Sequence, residues 1–231
     1  MGGQACILYG AAEFSRDTDI ALHASAENLE LLRQALRALQ ARRIALPPFD
    51  RSYLQKGHAV HFRCYHPEAH RMRLDVMSVM RGVDGFEALW QRRKSFSLPT
   101  GETIQILALS DLVRSKKTQR DKDWPMIRRL IESDYINAPN PSPDQIKFWL
   151  RESRTPAMLV KLAEGWKSEA EDLCSTRPLL SAALNGDELL VESELEKEQK
   201  SEREADREYW QPLLRELEAL RTKGYEAEEE V

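Results

Sequence analysis

The sequence predicts an α/β domain followed by an all-helical extension, and three observations carry that prediction. Two alternating apolar–polar runs, residues 59–65 and 71–80, flank the turn-forming stretch His66-Pro67-Glu68-Ala69-His70 and read as a β-hairpin. Leu29, Leu32, Leu36 and Leu39 recur at spacings of three and four, the stripe of an amphipathic helix. Beyond Ala138-Pro139-Asn140-Pro141-Ser142-Pro143, a run too rich in proline for helix or strand, the patterns read as helical.

In chain order, Gly2-Gly3 makes a turn whose backbone can approach a phosphate, because no Cβ intervenes. Residues 4–12 follow as a short helix with its N–H groups aimed at that turn. Asp17-Thr18-Asp19 runs into a strand over residues 19–23, and carboxylates spaced i, i+2 on extended chain share one face. A helix spans residues 27–42 and ends before the loop at Pro47-Pro48.

The hairpin then brings Asp75 into an otherwise apolar strand, where an unpaired carboxylate costs several kcal/mol and needs a partner, a cation or water. If Tyr65 pairs with Arg71, His61 lies opposite Asp75; a slip of two residues puts Arg63 there. Next come a short helix over residues 86–93 and a strand over residues 103–109. A helix capped by Ser110 or Asp111 follows, with a further helical segment near Pro125. In the extension, residues 192–208 form a charge-dominated helix, and Pro212 opens a last helix with a docking stripe of Leu213, Leu214, Leu217 and Leu220.

Net charge of −4 argues against a chain that coats nucleic acid, although residues 112–130 are basic while the C-terminal third is rich in Glu. Cys6, Cys64 and Cys174 are scattered without metal-ligand spacing, as expected of reduced thiols in a cytoplasmic protein. No stretch approaches the ~20 apolar residues of a membrane span. The histidines at positions 58, 61, 66 and 70 do not have the spacing of a zinc site.

Gly2-Gly3, the intervening helix, Asp17-x-Asp19 and the later Asp75 together resemble the active-site signature of the polymerase-β-like nucleotidyltransferase superfamily. The similarity is closest to its minimal, toxin-like branch related to abortive-infection nucleotidyltransferases and spans roughly residues 1–135. It implies a mixed sheet with flanking helices over residues 1–137, with the helical extension over residues 144–231. It implies that Asp17, Asp19 and Asp75 hold Mg²⁺ or Mn²⁺, hard cations that prefer carboxylate oxygen. Gly2, Gly3, Lys116, Lys117 and Arg120 would contact a nucleoside triphosphate, with Asp75 and Lys117 taking part in catalysis and His61 or Arg63 on the acceptor side.

The implied reaction moves NMP to a hydroxyl on RNA, tRNA or a protein, and the toxin-like branch implies an antitoxin partner. The family also has an apolar strand leading into the Gly-Gly turn, where only Met1 stands, so the chain either starts upstream of Met1, which is the favoured expectation, or is trimmed, or closes its fold without that strand. A reading of another class is a non-catalytic nucleotide-binding or protein-interaction module whose charged C-terminal helices are the working surface.

Overall fold

The computed structural model describes residues 1–225 and 229–230 and is α+β: a small mixed sheet, a two-stranded sheet and a helical C-terminal region. The chain divides into two compact units. One comprises Met1–Leu8, Ala12–Ser115 and the segment from Glu208; the other comprises Tyr9–Ala11 and Lys116–Arg207. The proline-rich run 138–143 lies inside the second unit, where Ser142 forms a capping box with Gln145 at the start of a helix.

In the first unit, α1 (Gly2–Leu8) leads to β1 (Asp17–Ala21) and α2 (Ala26–Ala38). The Ser25 hydroxyl caps α2 by accepting from the Asn28 N–H at 3.2 Å. The leucine stripe turns inward as its spacing requires: Leu29 and Leu36 are buried, and Leu32 and Leu39 pack against the same core. The helix stops short of the expected residue 42, because Gln40 takes a left-handed conformation (φ 50°) and the chain enters β2 (Arg42–Arg43).

Next is α3 (Arg51–Lys56), capped by Asp50 and closed by Gly57 at φ 103°. The hairpin is β3 (Val60–Arg63) and β4 (Arg73–Met77), followed by α4 (Phe86–Arg92), β5 (Lys94–Ser97), β6 (Thr103–Ile106) and α5 (Leu109–Ser115). Asp111 does not cap α5 but sits inside its first turn, buried, and accepts from Arg92 Nε at 3.0 Å and Nη2 at 2.9 Å. A bidentate guanidinium is what makes burying that carboxylate tolerable.

The main sheet has the order β1-β4-β3-β2-β7, where β7 is Glu229–Glu230; β1 and β4 are parallel and the other pairs antiparallel. The C-terminal region is therefore helical except for this short strand. One sheet face packs on α2: Val60, Phe62, Leu74 and Val76 join Leu29, Leu36 and Leu54 in the core. Burying each such large side chain contributes about 1.5–3 kcal/mol.

The second unit holds α6 (Asp123–Ile136), α7 (Pro143–Glu152), α8 (Pro156–Gly165), α9 (Lys167–Leu173), α10 (Leu180–Leu184) and the first part of α11 (Glu188–Thr222). Trp149 is fully buried, edge-on to Tyr135, and its indole N–H donates to Asp134 at 2.8 Å.

Pro212 lies within α11 instead of opening a new helix. An interior proline costs about 3 kcal/mol, and the residues after it are anchored in the first unit. Leu213 and Leu220 are buried, and Glu216 accepts from Lys56 and pairs with His58 at 2.8 Å. Leu214, read as part of the stripe, points outward. Among the described residues no helix is long and apolar enough to cross a membrane, and all three cysteines are free.

Candidate functional site: a charged face of the sheet

Strand alternation builds the site. With Leu74 and Val76 buried on β4, and Val60 and Phe62 buried on β3, the residues between them are left on the opposite face. The register aligns two rows across three strands. Asp19, Asp75 and His61 form one, while Asp17, Arg73 and Arg63 form the other. Of the two hairpin registers compatible with the sequence, the one placing His61 opposite Asp75 is found.

Asp75 Oδ1 is held from two sides, by Arg73 Nε at 2.8 Å and His61 Nδ1 at 2.8 Å. Arg73 Nη2 also lies 3.2 Å from His61 Nδ1. A ring nitrogen that donates to Asp75 cannot accept from Arg73 at the same time, so the imidazole chooses one role. Burial pushes the Asp75 carboxyl upward, but the His61 and Arg73 hydrogen bonds and charges outweigh it, and the group titrates below the usual carboxylate value. Arg73 is driven the other way, chiefly by its bond to Asp75 and also by the charges of Asp17 and Asp19. The guanidinium thus sits in the field of all three aspartates. It was not singled out as a site residue from sequence, although its i, i+2 spacing from Asp75 was the available signal.

A carboxyl depressed in the folded state stabilises the fold fully above its unfolded pKa of about 4, and that contribution disappears as pH falls through the lower folded value. The stability gap between wild type and Asp75→Asn is therefore expected to shrink on acidification below about pH 4. Urea midpoints measured across this range check it, and a gap that stays constant contradicts it.

Gly2 closes on this face. A Cβ there would stand 1.9 Å from Asp19 Oδ2, and the backbone has φ +65°. Only glycine fits both the space and the conformation. Gly3 is similarly tight against Ser15, at 2.3 Å from its hydroxyl oxygen. Gly2→Ala is expected to cost about 1–2 kcal/mol for the left-handed backbone alone and to displace the Asp19 carboxylate. Thermal unfolding measures the first effect; a variant as stable as wild type would contradict it.

The basic residues of the sequence reading belong to the second unit and are engaged there. Lys116 lies 3.5 Å from Asp123, Arg120 Nε donates to the same carboxylate at 2.8 Å, and Lys117 pairs with Glu152 at 2.8 Å. Arg63 is exposed, on the same sheet face as His61.

Three carboxylates, oxygen donors of the kind a hard divalent cation takes, lie on one face of adjacent strands, and the Gly2 backbone closes tightly on Asp19. Among the described residues, no three His, Cys, Asp or Glu side chains converge as a finished ligand group. A cation taking Asp75 Oδ1 at this face would have to displace Arg73 from it.

No family model, curated protein or solved structure matches this chain.

Proposed function

We propose that the first unit carries a nucleotidyltransferase site of the polymerase-β-like type, which moves NMP from a nucleoside triphosphate to a hydroxyl of RNA, tRNA or a protein. The observation that carries this reading is Asp19 beside Asp75 on adjacent parallel strands, with Gly2 packed against Asp19. Asp17, Asp19 and Asp75 would hold Mg²⁺ or Mn²⁺, which when bound neutralises phosphate charge and acidifies the acceptor hydroxyl.

The chain's own residues have distinct tasks. His61 and Arg73 keep Asp75 ionised at neutral pH. His61, tethered through Nδ1, keeps Nε2 for the acceptor hydroxyl, and exposed Arg63 supplies positive charge on the same face. In the transfer a bond forms between the acceptor oxygen and the α-phosphorus, the bond to pyrophosphate breaks, and the hydroxyl proton passes to His61 Nε2. The reading rests on the carboxylate face and not on Lys116, Lys117 or Arg120, whose ion pairs lie in the second unit. A cytoplasmic location and an antitoxin partner accompany the toxin-like form of this reading.

One observation favours a second reading. Arg73 and His61 already hold Asp75 through Oδ1 and balance its charge, as they would in a scaffold that needs no metal, leaving the protein a nucleotide-binding or interaction module. Mn²⁺ titration followed by electron paramagnetic resonance separates the two. The first reading expects binding that is weakened in both Asp19→Asn and Asp75→Asn. Identical binding in wild type and variants favours the scaffold.

A further inference from the structure

The second unit contains a cleft of about 740 Å³ with an unusual lining. Five cations face it: Lys117, Arg151, Arg154, Arg177 and Lys197. Only two carboxylates do, Glu198 and Glu202. Even with Glu152 added, which pairs with Lys117 at 2.8 Å and lies 3.6 Å from Arg154, cations exceed carboxylates.

The floor is built, not incidental. Arg177 is almost fully buried, donating from Nε to Glu198 at 3.1 Å and from Nη2 at 2.9 Å. Its other donations reach the Leu150 carbonyl at 2.7 Å and the Ser153 carbonyl at 2.9 Å. Arg154 donates to the same Glu198 carboxylate, so two guanidinium groups share one anion. Burial lowers the Arg177 pKa despite Glu198, and the neighbouring Arg154 charge lowers it further. Arg154 is itself more than nine-tenths buried, and its Nε makes no hydrogen bond. At the rim, Arg151 is exposed, and Lys197 pairs with Glu194, one turn back on its own helix, at 2.6 Å.

The buried cations Lys117, Arg154 and Arg177 are matched by Glu152, Glu198 and Glu202, so the excess positive charge of the cleft lies at its rim, on Arg151 and Lys197, above the unbonded Arg154 Nε. An anion of high charge density is drawn to that excess charge. Phosphate fits best: its oxygens match the planar arginine fork, and its charge exceeds that of a single carboxylate. The cleft size lies within the ~300–1,000 Å³ typical of ligand sites.

We propose that this cleft is a binding site for phosphate groups, carried either by a free nucleotide or by a nucleic-acid strand. The proposal does not depend on the carboxylate face being catalytic.

The test is fluorescence anisotropy of a short labelled single-stranded RNA with the full chain at low salt, in EDTA so that no divalent ion links the RNA to the aspartates. Unlabelled ATP and inorganic pyrophosphate serve as competitors. Displacement by ATP and pyrophosphate at comparable concentrations identifies free phosphates as sufficient; RNA binding that they do not displace assigns the site to the strand. Arg151→Glu/Lys197→Glu is expected to weaken binding roughly tenfold or more and to reduce the salt dependence by about two counterions. Arg128→Glu/Arg129→Glu makes the same change in net charge at exposed positions outside the cleft and is expected to bind as wild type does. Absence of binding by RNA, ATP and pyrophosphate alike overturns the proposal, as does an equal loss in the two double variants. Equally strong competition by polyglutamate overturns the assignment to phosphate.

Discussion

Arg177→Met is expected to destabilise the protein by about 3–5 kcal/mol, the cost of removing one partner from a buried ion pair. The side chain makes two bonds to Glu198 and closes two backbone carbonyls, of Leu150 and Ser153, which methionine leaves unsatisfied. Glu198 then has only Arg154 to hold it inside the fold. Replacing both ends, Arg177→Met/Glu198→Met, is expected to recover part of the loss, since a matched apolar pair often equals a buried ion pair. Arg177→Lys keeps the charge but loses the fork and should fall between wild type and Arg177→Met. Urea unfolding followed by circular dichroism measures all three. A loss below about 1 kcal/mol for Arg177→Met would place this residue with ordinary surface pairs.

Asp75→Asn is expected to abolish nucleotidyl transfer while the fold persists. An amide oxygen still accepts hydrogen bonds, but without the negative charge it is a weak ligand for a hard cation and does not balance Arg73. The structural cost is about 1–3 kcal/mol, the loss of charge-assisted bonds to His61 and Arg73. Against a core containing Phe62, Leu36 and Leu54, all fully buried, that cost should leave the domain folded. Circular dichroism separates loss of chemistry from loss of structure. A fully active Asp75→Asn protein would remove the carboxylate row from any catalytic role.

The charged face was legible because period-two alternation is strong in β4, where Leu74 and Val76 can point only into the core. Once that is fixed, Asp75 must face outward, and the hairpin turn leaves only two registers that bring a cation beside it. Other elements were not legible for identifiable reasons. The short helix α3 lies just after the two prolines and is defined by its Asp50 cap and by Leu54 sinking into the core. Strand β5 is mostly exposed and polar, so it has no alternation to read; pairing with β6 defines it.

Pro212 is a strong local signal for a helix start, and tertiary anchoring through Leu213, Glu216 and Leu220 overrides it. The cationic cleft assembles residues from Lys117 to Ala205, a combination that no local pattern encodes. The proline-rich run suggested a boundary, whereas compactness divides the chain after Ser115 and again at Glu208.

The most direct test of the central claim is transfer of an α-labelled nucleotide. The protein, Mg²⁺ and each labelled nucleoside triphosphate would be incubated with total RNA and cell lysate, with a folded Asp17→Ala/Asp19→Ala variant in parallel. The account predicts label in RNA or protein with wild type alone, dependent on the divalent ion and abolished by EDTA. Label in neither acceptor with any of the nucleotides, from a protein confirmed to be folded, would contradict it and leave the carboxylate face as a scaffold neutralised by Arg73.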